Sequence, residues 1–437
     1  MLLIDNARIF TPQGLVEGSV LCKDGEIAKI GRFTPPAVDD SINAHGCILL
    51  PGVIDSHVHF REPGEDHKET WETASKAAAK GGVTTVLDMP NNNPPTTTIQ
   101  RLAAKRALVK GRSFVNYGFH FGATPTNADE ILEADNIASV KIYMGATTGD
   151  LLVEDDGALY GVFKACKQAG HLAMVHAENN ALVRRFASDA RKAGHSHPSV
   201  HGRIRDNVVA AEAASRAAIL SKSVGNRLHI AHISTRQELN VVRLSQGRVT
   251  CEATPHHLLL EEDCVESLGN FAKVNPPLRE DVDRRALWRQ FASIDCVSSD
   301  HAPHTKEEKQ RGYWEAPAGV PGVETLLPLM LNEVNRGRIE LADVVEKLSA
   351  APARIFGLET KGRIAEGMDA DLTIVDMSLT KVVDDSSIVS KCGWSPFAGT
   401  MVKGWPVTTI VSGGIAYNKA NFFEPVGREV RFSHGKQ

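Results

Sequence analysis

From about residue 51 to residue 300 the chain keeps one rhythm: a short apolar run, then a segment rich in Ala, Lys, Glu and Arg. The runs are "GVIDSHVHF", "GVTTVLDMPN", "SFVNYGFHFGA", "SVKIYMG", "HLAMVHAEN", "RLHIAHIST", "RVTCEATPHH" and "IDCVSSDHAPH". Helix candidates between them cover 68–80, 99–110, 158–169, 206–223, 235–246 and 281–292. Alternation of this kind calls for parallel strands with helices returning across them. Eight such units over about 250 residues predict a closed (β/α)8 barrel of the TIM type rather than an open doubly wound sheet.

The ends have a different texture. "LLIDNARIF", "GSVLCKDGEIAKIG" and "GCILLPGV" read as short strands separated by Gly, Asp and Asn turns, and "GRIAEGMDADLTIVDM" and "PVTTIVSGGIAYN" repeat the pattern near the C-terminus. The expected organisation is a small β-sandwich domain built from both termini, residues 1–50 and 356–437, flanking a barrel over 51–355. At 437 residues the chain is long enough for both cores.

Composition excludes several functions. Net charge is −4 with no long basic run, which argues against a nucleic-acid partner. No stretch reaches the roughly 18 apolar residues of a membrane span. The N-terminal "MLLIDNARIF" has no basic region ahead of its apolar residues and reads as a strand rather than a leader. Seven scattered cysteines without a CxxC pair read as buried thiols of a cytoplasmic protein.

In a barrel the C-terminal ends of the strands converge on one mouth. The first run supplies His57, His59 and Arg61, which alternation along a strand would place on one face. The second supplies Asn91, the fourth Lys141, the fifth His176, the sixth His232 and the eighth Asp300. A lone histidine at a strand end is usually structural. Four of them with an aspartate at one mouth suit a divalent metal that takes nitrogen and oxygen ligands.

The motifs "HVHFREPG", "DMPNNNPP", "VKIYMG", "MVHAEN", "IAHIST", "VNPPLR" and "SSDHAPH" resemble the amidohydrolase superfamily and, within it, the dihydroorotases. The HxH pair marks only the superfamily; "HFREPG" with "NPPLR" and "DHAPH" is narrower. The resemblance implies two zinc ions per chain. His57 and His59 would bind one, His176 and His232 the other, and carboxylated Lys141 would bridge them. Asp300 would be both ligand and catalytic proton shuttle. Arg61, Asn91 and His304 would grip a substrate carboxylate, with Asn275 and the backbone near Pro321 and Gly322 on the ring. The implied reaction is reversible conversion of (S)-dihydroorotate and N-carbamoyl-L-aspartate by metal-activated hydroxide, in pyrimidine biosynthesis.

A rival bridge exists, since some relatives use an aspartate from a "DDG" motif and this chain has "EDDG" at 154–157. Asp155 and Asp156 precede a helix candidate and have a ready role as cap or first-turn acids. Lysine in an apolar strand lacks so ordinary a role, so Lys141 is the expected bridge. His256 and His257 are read as packing or support, and Glu178 and Glu252 as partners of ligand histidines. The competing functions are an allantoinase or hydantoinase, which would share the metal site, and a non-catalytic scaffold, which would typically lack some ligands. The expected partners are a small-molecule substrate, a second copy in a homodimer, and an aspartate transcarbamoylase. The segment 304–321, with Gly312 and Gly319, is expected to close over bound substrate.

Overall fold

The computed structural model describes residues 1–147 and 151–433. Eight parallel strand positions follow one another around a barrel: Val53–Val58, Val83–Asp88, Asn116–Phe119 continuing at Phe121–Gly122, Val140–Tyr143, Ala173–His176, Leu228–Ile230, Val249–Ala253 and Cys296–Val297. Each pairs with the next in parallel, and the ring closes where Val58 bridges His301. The third strand is interrupted at His120, whose Nε2 reaches the Ser56 carbonyl at 3.0 Å and whose Nδ1 meets Ser139 Oγ at 2.6 Å.

The helices begin and end where local chemistry dictates. Thr98 caps Ile99–Val109 by accepting from the Arg101 amide. Asp155 caps Asp156–Ala169 by accepting from the Ala158 amide, and Gly170 ends that helix at φ +74°. Gly225 ends Asn207–Val224 in the same left-handed way, at φ +80°. The strands of the barrel are buried nearly throughout and share one large apolar cluster with the inner faces of the helices. Burial of each large side chain there stabilises the fold by about 1.5–3 kcal/mol before entropy is counted.

Both termini build a second body. The strand Leu372–Val382 lies antiparallel to Ile48–Pro51, joining C-terminal strands to N-terminal ones in a nine-stranded sheet. That sheet curls over: the Ile27 amide donates to Met368 O at 2.8 Å and Glu26 bridges Asp369, although Glu26–Gly31 is its far edge. Ile4, Ile9, Val20, Leu49, Leu372, Ile374 and Ile410 fill the space inside. The architecture is therefore the expected barrel with a small sandwich from both ends. No helix among the described residues is long and apolar enough to cross a membrane.

Candidate active site

One cavity opens at the C-terminal ends of the barrel strands. His57, His59, Arg61, Asn91, Lys141, His176, His232, Asn275 and Asp300 all line it. Asp300 Oδ1 lies 3.3 Å from His57 Nε2 and 3.2 Å from His59 Nε2. His176 Nδ1 lies 3.0 Å from His232 Nε2. His57, His232 and Asp300 offer ligand atoms within 4.8 Å of one another.

The local backbone is unusual at three of these positions. Arg61, His232 and Asp300 have φ of +63°, +36° and +45°, in the left-handed region that non-glycine residues seldom occupy. Such strain persists only where the surroundings over-determine it, and here it marks the cavity. At Arg61 it also corrects the expectation of three side chains in one strand row. The strand ends at Val58, and the turn beyond it, fixed by the Phe60 amide donating to Asp88 Oδ1 at 2.7 Å, brings the guanidinium back to the mouth.

Behind the histidines stand two buried carboxylates. Glu252 receives His57 Nδ1, and Glu178 receives His176 Nε2 at 2.8 Å and an Arg205 Nη1–H. Burial alone would raise the Glu178 carboxyl, but Arg205 and His176 hold it down at about 2. Glu252 is likewise held well below the usual range by His57 and His229, against burial. His59 is oriented by Asn91, whose Oδ1 lies 2.6 Å from Nδ1. A carboxylate or carbonyl on the rear nitrogen fixes tautomer and ring plane, the usual support of a metal-binding histidine.

Lys141 is fully buried, and its ammonium nitrogen has no hydrogen-bond partner among the described residues. Desolvation lowers its pKa to about 8. His232 Nδ1 and Tyr143 Oη are also buried without hydrogen-bond partners among the described residues. Orphaned polar atoms facing one cavity beside a buried aspartate form an incomplete polar cage, and its nitrogen and oxygen donors fit a divalent metal. Asp155 and Asp156 are exposed and elsewhere occupied: Asp155 as the helix cap, Asp156 in an ion pair with Arg216 at 2.8 Å.

Not every expected residue reaches the cavity. His304 is fully buried beside Arg61 rather than lining the space. Pro321 and Gly322 line a separate, smaller pocket, and the Gly322 amide donates to His301 Nδ1 at 3.1 Å. The chain turns away at Val320, which bridges His301, so the preceding pair, Ala318 and Gly319, forms the cavity wall instead. A Cβ at Gly319, where φ is +145°, would sit 2.5 Å from Ala302 O. Tyr143 and Thr147 were also missed. Tyr143 follows Lys141 by two in the same strand and shares its face, a signal the sequence did contain. His257 is tied to Thr254 Oγ1 at 2.8 Å and Pro276 O at 3.0 Å, away from the cavity lining.

The segment after the eighth strand is anchored rather than loose. Lys309, buried, donates to the carbonyls of Lys273, Pro317 and Gly319 at 2.9–3.1 Å, and Lys273 donates to those of Tyr313 and Ala316. Trp394 Nε1 donates to His304 O at 2.8 Å from the C-terminal region.

A closed eight-stranded barrel with a histidine, lysine and aspartate cluster at its mouth defines the class. The chain belongs to the amidohydrolase family, whose pattern matches residues 48–416. Within that class it is similar to proteins named dihydroorotase. One from Halobacterium salinarum is 40% identical over 389 residues, 88% of this chain and 89% of the relative. Another, from Methanothermobacter thermautotrophicus, is 38% identical over 416 residues, 94% of this chain and 93% of the relative. Among solved structures, an L-hydantoinase (dihydropyrimidinase) from Arthrobacter aurescens superposes with a TM-score of 0.94 at 32% identity, covering 98% of this chain and 99% of that one.

Proposed function

We infer that this protein is a dihydroorotase, interconverting (S)-dihydroorotate and N-carbamoyl-L-aspartate. The observation that carries the reading is the presence of Arg61 and Asn91 in the same small cavity as the histidine, lysine and aspartate cluster. Arg61 is buried with one distant carboxylate, Glu65 at 3.5 Å, besides Pro303 O and His304, so a substrate carboxylate would complete its pairing where a neutral ring would not. That argues against allantoin and hydantoin as substrates, although the barrel itself resembles a hydantoinase.

His57, His59, His176, His232 and Asp300 would hold two zinc ions, with Lys141 as a carbamate between them. The depressed pKa of Lys141, about 8, raises the fraction of neutral amine, the form that adds to carbon dioxide. Bound there, zinc would supply Lewis acidity toward the ring carbonyl and lower the pKa of water from about 15.7 toward neutrality.

The chain's own groups do the rest. Arg61 pairs with the substrate carboxylate, bidentate geometry fixing the ring's orientation. Asn91 joins Arg61 on the carboxylate, and Asn275, which also lines the cavity, offers its amide to the ring edge. Asp300 receives the proton of the attacking water and delivers it to the leaving ring nitrogen as the amide C–N bond breaks. Burial raises the Asp300 carboxyl above its ordinary value, against the pull of His57 and Lys141. In reverse, Asp300 takes the proton from the carbamoyl nitrogen as the ring closes.

Steady-state assays with dihydroorotate, hydantoin and allantoin side by side test this. Turnover of dihydroorotate at a kcat/KM at least about a hundredfold above the others supports it. Preference for either neutral ring contradicts it.

A further inference from the structure

We propose that the buried Asp88–Lys105 pair is a positioning device that locks together the two loops carrying Arg61 and Asn91, and so sets affinity for the substrate carboxylate. This deepens the reading above and rests on it. Asp88 ends the second barrel strand and is fully buried, and Lys105, on the helix Ile99–Val109, is 2% exposed. Lys105 Nζ lies 2.5 Å from Asp88 Oδ2 and donates to Met89 O at 2.9 Å and Asn92 Oδ1 at 2.6 Å. Its contacts therefore bracket Asn91 from both sides in sequence.

The other carboxylate oxygen reaches the neighbouring loop. Asp88 Oδ1 accepts the Phe60 amide, in the turn between His59 and Arg61. Two further bonds cross the same seam: Asn92 Nδ2 to Glu62 O and the Asn93 amide to Pro63 O, each 3.1 Å. One charged pair thus grips residues 60, 89 and 92, and the residues meant for the substrate, Arg61 and Asn91, sit within its span.

A purely structural role explains this less well. A buried ion pair contributes little net stability over an apolar pair of similar volume, because desolvation offsets the attraction. Lys105 already packs over the Phe119 ring at 5.2 Å, so a methionine would fill the same space. What methionine could not do is hold two loop acceptors and a carboxylate in fixed directions. A misplacement of about 1 Å in a substrate-positioning group can cost up to about a hundredfold.

The test compares zinc-loaded wild type with Lys105→Met, Lys105→Arg and the double variant Asp88→Asn/Lys105→Met, the last leaving no uncompensated charge. We expect both Met-containing variants to raise KM for dihydroorotate about tenfold or more while kcat changes less than about threefold, with Lys105→Arg recovering part of the loss. Calorimetric binding of N-carbamoyl-L-aspartate should weaken by a similar factor, with zinc content unchanged. If the double variant folds, by circular dichroism and zinc content, yet keeps wild-type KM and product affinity, the pair is structural only and the proposal is overturned. A fall in kcat at unchanged KM overturns it equally. Failure of the underlying reading is separately visible, as absence of dihydroorotate turnover in the wild type.

Discussion

Arg61 Nη2 stands 3.2 Å from His304 Nε2, and that same ring nitrogen stands 3.1 Å from the carbonyl oxygen of Ala318 in the cavity wall. Burial, then the charge of Arg61, pushes the His304 pKa well below its ordinary value, so the ring is neutral. Its one Nε2 can accept from Arg61 or donate to Ala318, according to tautomer, but not both. A carboxylate drawing the guanidinium toward itself would leave the ring to the wall. On the proposed reading, His304 would act on substrate through Arg61 and Ala318.

Arg61→Met should weaken dihydroorotate binding by about 2–5 kcal/mol, the range for stripping a desolvated charge of its partner. Zinc content should stay at the wild-type value, since the guanidinium is no ligand. Steady-state kinetics with elemental analysis checks both, and an unchanged KM would place the carboxylate elsewhere.

Lys141→Ala should lose nearly all activity, and added short-chain carboxylic acids should restore part of it by filling the bridging position. Asp155→Ala should cost only the helix cap, about 1 kcal/mol of stability, and Asp156→Ala less. The reverse pattern in zinc content, with Asp155→Ala empty and Lys141→Ala loaded, would exchange the two assignments.

The site was legible where it followed strand alternation and unreadable where it followed loop geometry. His57 and Lys141 lie within barrel strands and His176 and His232 at or just past strand ends, and a period of two with a barrel count brings them together. Arg61 reaches the cavity through a left-handed residue that alternation cannot foresee. The wall formed by Ala318 and Gly319, rather than Pro321 and Gly322, depends on where a long connection turns, which no periodicity encodes. The joining of the two β-rich ends was readable as texture, but the curl that brings Ile27 to Met368 is a tertiary fact.

Glu178 carries a pH signature. Its folded pKa, about 2, lies below the ordinary value of 4.5, so its contribution to stability is complete above about pH 4.5 and is lost as pH falls toward 2. The gap in unfolding free energy between zinc-free wild type and Glu178→Gln should be on the order of 3 kcal/mol at pH 6 and shrink by pH 3. Urea titrations at both values measure it. A gap independent of pH would mean that Arg205 and His176 do not stabilise the ionised carboxylate.

The most direct test of the account is zinc titration of chelator-stripped protein, followed by dihydroorotate hydrolysis at each step. Stripped protein should be inactive, and activity should rise with added zinc and level off near two equivalents per chain, matching elemental analysis of protein purified without chelator. Full activity in protein that reproducibly contains almost no metal would contradict the account.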